Sequence, residues 1–255
     1  MKRRLFLQVG ALAAPSVVLA QSLPAGTLPD DTFDLRSLET TNLLEIRSLI
    51  VNETGTANPR VEEIDTALEI LERAPTGVTP LSIAEYFWNL HAGLLNTDDQ
   101  PMLEYYAKEW PVRANPLIVG FFKATNYGKP SGDTTPWCAA FINWVLDRAA
   151  SGKTVAPGPT RSAASKSFRS WGKDTKNPNP GDIAVFRNTK GDPNFGHVAF
   201  FLQYDDNKSH VLILGGNQRP SNRNNTGEIN RRWFPVVGRT QVLDSIRTAD
   251  WIHTG

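Results

Sequence analysis

Apolar positions recur at spacings of three and four through the first half of the chain and at spacings of two through the second. Leu35, Leu38, Leu43, Ile46, Leu49 and Ile50 form one such run, and Val61, Ile64, Leu68 and Leu71 form another that starts at Asn58-Pro59. This is the period of one face of a helix. Glu62 and Glu63 fall in the first turn of the second run and Arg73 in its last, the charge order that suits the helix dipole. Thr79-Pro80 opens a third helix with Tyr86, Phe87, Leu90 and Leu94 on one face. Asn115-Pro116 opens a fourth through Leu117, Phe121 and Phe122. In both, the first residue is a good N-cap and proline suits the first helical position, where its missing N–H has no intrahelical partner. Thr135-Pro136 repeats that signal, and the segment after it, Cys138-Ala-Ala-Phe-Ile-Asn-Trp-Val-Leu146, is apolar nearly all round, as a buried helix is. Ser162 to Trp171, closed by Gly172, reads as one more short helix.

Beyond Gly172 the pattern becomes that of strands. Pro178-Asn-Pro-Gly-Asp182 is a turn; Ile183–Phe186, Gly196–Leu202 and His210–Leu214 are strand-length runs, the last two joined at Asp205-Asp-Asn-Lys208. Glu228–Phe234 and Val242–Arg247 are further strands. Helices first and then an antiparallel meander make an α+β fold. The expected organisation is an export signal over 1–20, a helical region over 21–110 without a chemical motif, and a domain over 111–255 that carries the chemistry.

The export signal rests on Lys2-Arg3-Arg4, an apolar run from Leu5 to Leu19 and Val18-Leu19-Ala20 as a cleavage pattern. The run is too short to span a bilayer, and the arginine pair resembles the twin-arginine motif. A mature protein starting near Gln21, periplasmic or secreted, is expected. The 255 residues are 40% hydrophobic and 21% charged, with 27 Lys and Arg against 26 Asp and Glu. A formal charge of +1 gives no reason to expect nucleic acid or stable membrane insertion.

Export changes how the one cysteine reads. Cys138 stands alone in a chain expected in an oxidising compartment, where cysteines are ordinarily paired. It is a thiol kept for chemistry, a partner in an intermolecular pairing, or a small buried hydrophobe. With Thr135 as N-cap it takes the third helical position, where free N–H groups and the dipole would favour a thiolate. Amide hydrolysis by a cysteine also needs an imidazole and a polar group that fixes its tautomer. His197 begins one strand and Asn217 ends its neighbour, so an antiparallel pairing brings them to one sheet edge. His210 lies at the opposite end, and His253 and the lone His91 have weaker claims.

Pro136-Trp-Cys-Ala-Ala-Phe141, Pro180-Gly-Asp-Ile-Ala-Val-Phe186, Gly196-His-Val198 and Gly215-Gly-Asn-Gln218, in that order, resemble the CHAP family of cysteine- and histidine-dependent amidohydrolases and peptidases, in the papain-like clan that includes NlpC-type cell-wall peptidases. The resemblance runs over about residues 111 to 250. It implies a papain-like fold, amide cleavage in peptidoglycan, Cys138 as nucleophile, His197 as base and Asn217 as the group orienting it. Two positions depart from the pattern. Trp137 stands where many members have a polar side chain near the oxyanion, and Gly215 where many have an acidic residue. Trp137 either stacks on substrate or belongs to the core.

No cofactor is expected. Asp133, Asp182 and Asp192 sit in turns without the alternating oxygen ligands of an EF-hand, so no metal is assigned. Arg219, Arg223, Arg231 and Arg232 flank the expected site and read as solvated charge or as contacts for anionic wall polymers. The expected partner is peptidoglycan or its fragments, with the helical region available to a protein partner. Two other readings stand beside the enzyme: a wall-binding module without turnover, and a secreted toxin-like amidase.

Overall fold

The computed structural model describes residues 57–128, 130–220 and 226–254. The expected export signal and the helical run from Leu35 to Ile50 lie outside the described residues.

Helix α1 spans Val61–Arg73, α2 Pro80–His91, α3 Pro116–Phe121 and α4 Cys138–Ala150. The starts follow local chemistry. The Glu63 carboxylate reaches back to accept from Arg60 N–H at 2.7 Å, Thr79 Oγ1 accepts from Ser82 N–H at 3.3 Å, and Asn115 Oδ1 accepts from Leu117 N–H at 2.9 Å. Leu94, expected on the α2 face, lies past its end and is exposed. Ser165–Ser170 forms a 3-10 turn where a short helix was expected.

Strands β1 (Lys173–Asp174), β2 (Ile183–Asn188), β3 (Gly196–Tyr204), β4 (His210–Gln218), β5 (Glu228–Pro235) and β6 (Gln241–Thr248) form one antiparallel sheet, ordered β1-β6-β2-β3-β4-β5 among the described residues. The meander holds from β2 to β5. It is broken by β6, which crosses back to pair with β2. At the β3–β4 hairpin Asp205 Oδ1 accepts from the N–H groups of Ser209 and His210 at 2.7 and 2.9 Å.

Strand alternation gives the sheet two apolar faces. One, with Val185, Val198, Phe200, Leu214 and Ile229, packs against α4 in a cluster that also takes in α1, α2 and α3. Phe87 stands at its centre, with the rings of Tyr86, Phe121, Phe141 and Trp144 set edge-on at 5.2 to 5.8 Å between centroids. Arg148, in the last turn of α4, donates to the carbonyls of Glu72 and Ala74 at the C-terminal end of α1. The segment before residue 110 and the cysteine-bearing helix therefore share one core. The far face carries Ala184, Phe186, Ala199, Phe201, Val211, Ile213 and Ile246. Among the described residues no helix is long and apolar enough to cross a membrane.

Candidate active site

The helix that carries the thiol starts later than its sequence suggests. Cys138 is the first helical residue and Trp137 takes the cap position without a side-chain capping bond. Thr135 is not the cap; its Oγ1 accepts from Ser131 N–H at 2.7 Å. Cys138 is 5% exposed and forms part of the near-face cluster. Burial pushes its thiol up to about 11, against the backbone N–H groups of Val198, Ala139 and Cys138 itself. Where the helix start favours a thiolate, desolvation of the charged form works the other way and is the larger effect.

The sulfur meets the backbone of β3. β3 and β4 pair as far as Phe200 and Leu214, then part, and the Val198 N–H turns to Cys138 Sγ. Beyond that point β4 carries a one-residue bulge: Gly215 opposes Asn230 and Gln218 opposes Glu228, so three steps on β4 match two on β5. Asn217 sits in the bulge with φ of 56°. Asparagine is among the few residues with a side chain that enter this left-handed region readily.

A bulge of one residue shifts the alternation of everything beyond it. Gln218 thereby takes the facing that an unbroken strand would give Asn217, and Gln218 is the residue that meets His197, with Oε1 at 3.3 Å from Nε2. Asn217, expected to orient the imidazole, does not meet it in this structure. With its amide oriented to satisfy both ends, Asn217 accepts from Trp137 N–H at 3.1 Å and donates to Glu109 Oε1 at 3.2 Å. Space explains the exchange. A Cβ on Gly215 would stand 2.7 Å from the Ala199 Cβ, which leaves no room for the acidic side chain expected there.

The Gln218 amide settles the tautomer of His197. Its Nε2 faces three acceptors, Gly215 O at 3.1 Å, Asn230 O at 2.5 Å and Asn230 Oδ1 at 2.9 Å, so its Oε1 is turned to the imidazole. His197 Nε2 then carries the proton and donates, which leaves Nδ1 as the basic lone pair. The ring lies parallel to Phe234, 10° between planes and 5.5 Å between centroids, and against Phe186 on the far face. Burial lowers its pKa to about 4 and the Gln218 contact opposes this. Cys138 belongs to the near-face cluster and the His197 ring packs against Phe186 and Phe234; burial favours the neutral form of both, and no hydrogen bond joins them among the described residues.

Trp137 is fully buried and stacks on Phe121 at 6.1 Å, so it belongs to the core and is absent from the cleft wall. Its indole N–H donates to Glu109 Oε1 at 3.0 Å. The outer side of Cys138 faces a cleft of about 650 Å³, whose wall includes Tyr127, Arg161, Lys166, Asp192, Phe195 and Gly196. Its volume lies within the range of small-molecule sites.

The other histidines stand elsewhere. His210 meets Asp205 at the hairpin, His253 Nε2 is 2.9 Å from Asp182 Oδ1, and His91 is 3.8 Å from Glu228. Arg231 pairs with Glu85 and covers the Trp88 ring, and Arg232 donates to Arg219 O, so neither points into the cleft. Arg223 lies outside the described residues. Among these, no group of three His, Cys, Asp or Glu is placed to hold a metal ion. Asp133 is buried, accepts from Trp110 and Asn115 N–H at 2.8 Å through Oδ2, and leaves Oδ1 unpartnered. Burial pushes its carboxyl up to about 7.

Sequence reasoning passed over Gln218 and Glu109. Gln218 was visible as the polar residue beside Asn217, but only the bulge gives it the imidazole. Glu109 has no local signal at all.

No curated protein and no solved structure matches the chain. The family model described as CHAP domain matches residues 130–217, from the loop ahead of the cysteine helix to Asn217.

Proposed function

We propose that the chain is an exported cysteine hydrolase that cleaves an amide bond of peptidoglycan, with Cys138 as nucleophile, His197 as general base and acid, and Gln218 orienting the imidazole in a papain-like arrangement. One observation carries the reading: the only cysteine of the chain lines a cleft inside the CHAP match and receives the Val198 N–H of β3, one residue from His197, whose imidazole meets Gln218. Export rests on the basic and apolar residues at the start of the sequence.

The proton begins on Cys138 Sγ. As the imidazole edge moves off Phe234 toward the thiol, Nδ1 takes that proton and the thiolate attacks the substrate carbonyl carbon. Free N–H groups in the first turn of α4 then face the developing oxyanion. The imidazolium returns its proton to the departing amine, and an acyl group remains on sulfur. Water attacks that thioester and gives a proton to Nδ1, the carboxylic acid leaves, and the imidazolium returns its proton to the sulfur to restore the thiol. Free enzymes often hold such groups further apart than the reacting complex does.

The neutral, unjoined thiol and imidazole favour a second reading, a wall-binding module without turnover. Incubation with purified wall fragments and mass measurement of the products separates the two. Hydrolysis adds one water across an amide bond, and fragments that are retained but unaltered in mass support the binding module.

A further inference from the structure

We infer that Glu109, which lies outside the CHAP match, is a positioning residue that sets the orientation of the Trp137–Cys138 peptide, acting with Asn217 as its relay. The inference rests on the reading of Cys138 as nucleophile. Glu109 is held against the edge of the sheet, where Lys108 bridges Glu228 and Glu109 N–H donates to Gly227 O at 2.9 Å. Its carboxylate receives three donors: Trp137 Nε1 at 3.0 Å and Asn217 Nδ2 at 3.2 Å on Oε1, and Gly227 N–H at 2.7 Å on Oε2. Asn217 in turn accepts from Trp137 N–H at 3.1 Å.

Trp137 is thus held twice by one carboxylate–amide pair, at its indole and at its backbone, one bond sequence before the thiol. It has no side-chain cap of its own, so these bonds are what fixes the entry into α4. The surroundings leave no slack. A Cβ on Gly216 would run into the Trp137 ring, and a Cβ on Gly227 would meet both the Asn217 amide and the Glu109 carboxylate. This gives the left-handed turn at Asn217 its purpose: it releases that side chain from the imidazole and sends it beneath the cysteine helix. The segment ahead of the CHAP match thereby completes the site within it.

Glu109→Gln tests this, because it keeps the shape and places an amide donor among three donors. The protein is assayed on purified peptidoglycan fragments beside Cys138→Ala, and Cys138 alkylation by iodoacetamide is followed against pH. The expected result is a loss in kcat of roughly 10- to 100-fold with KM nearly unchanged, as for a nucleophile displaced by about an ångström, and a displaced alkylation profile. Asn217→Asp, which keeps the acceptor for Trp137 N–H and sets a carboxylate against Glu109, is expected to do the same, and it carries the test if Glu109→Gln does not fold. Folded variants with wild-type kcat and alkylation profile overturn the inference, as does a rise in KM alone or a fall in melting temperature alone. If Cys138→Ala still cleaves, the functional reading fails instead, and the alkylation profile continues to test the positioning by itself.

Discussion

Gln218 Oε1 stands 3.3 Å from His197 Nε2, and three acceptors around the other end of the same amide leave it no alternative orientation. The contact fixes which imidazole nitrogen is basic. Gln218→Ala should therefore lower kcat by about 10- to 100-fold, part of what general acid–base help supplies, while leaving KM close to wild type. Gln218→Glu should keep the acceptor, set a carboxylate on the imidazole, and move the acid limb of the kcat/KM profile to higher pH. Steady-state rates against pH measure both.

The thiol should label slowly at neutral pH. With burial pushing it up to about 11, iodoacetamide alkylation of native protein should rise steeply toward alkaline pH, above the midpoint of roughly 8.5 for a free cysteine. Denaturant should restore the ordinary profile.

Two buried groups set opposite pH dependences of stability. His197 holds its pKa near 4 in the folded chain against roughly 6.5 unfolded, so its contribution is present above about 6.5 and is lost as pH falls through about 4. Asp133 is raised from 3.8 to about 7, so its contribution is fully present below about 4 and is lost as pH rises through about 7. Melting temperatures from pH 4 to 8 should show His197→Gln losing the acid-side fall and Asp133→Asn losing the decline toward pH 8.

Gly216→Ala should cost about 1–3 kcal/mol of stability, because the added methyl would drive into the Trp137 ring and Phe141. It should also depress activity more than the stability loss accounts for, since the displaced ring belongs to the residue before the nucleophile. Urea unfolding and kcat on the same preparation separate the two effects.

The helices and strands were legible where a local signal decides them. Thr79-Pro80 and Asn115-Pro116 start α2 and α3 as their sequences say, and the alternation of Val198 and Phe200 with Ala199 and Phe201 gives the two faces of β3. The site was legible as residue types, and its pairing was not. A single extra residue in β4 exchanges Asn217 for Gln218 beside the imidazole, and no periodicity announces a bulge. Thr135-Pro136 carries the same start signal as the two helices before it, yet the 3-10 turn at Gly132–Thr134 uses Thr135 and α4 begins three residues on. The burial that raises the Cys138 thiol comes from strands sixty residues away. Glu109 likewise reaches Trp137 only because its segment lies along β5.

The most direct test compares wild-type protein with Cys138→Ala on purified peptidoglycan fragments, with products weighed by mass spectrometry. The substitution removes one buried sulfur, so the melting temperature should stay within a few degrees of wild type. Wild-type protein should yield products whose masses sum to the substrate plus one water, and Cys138→Ala should yield none. Cleavage by Cys138→Ala at the wild-type rate, or intact fragments after incubation with the wild-type protein, contradicts the account.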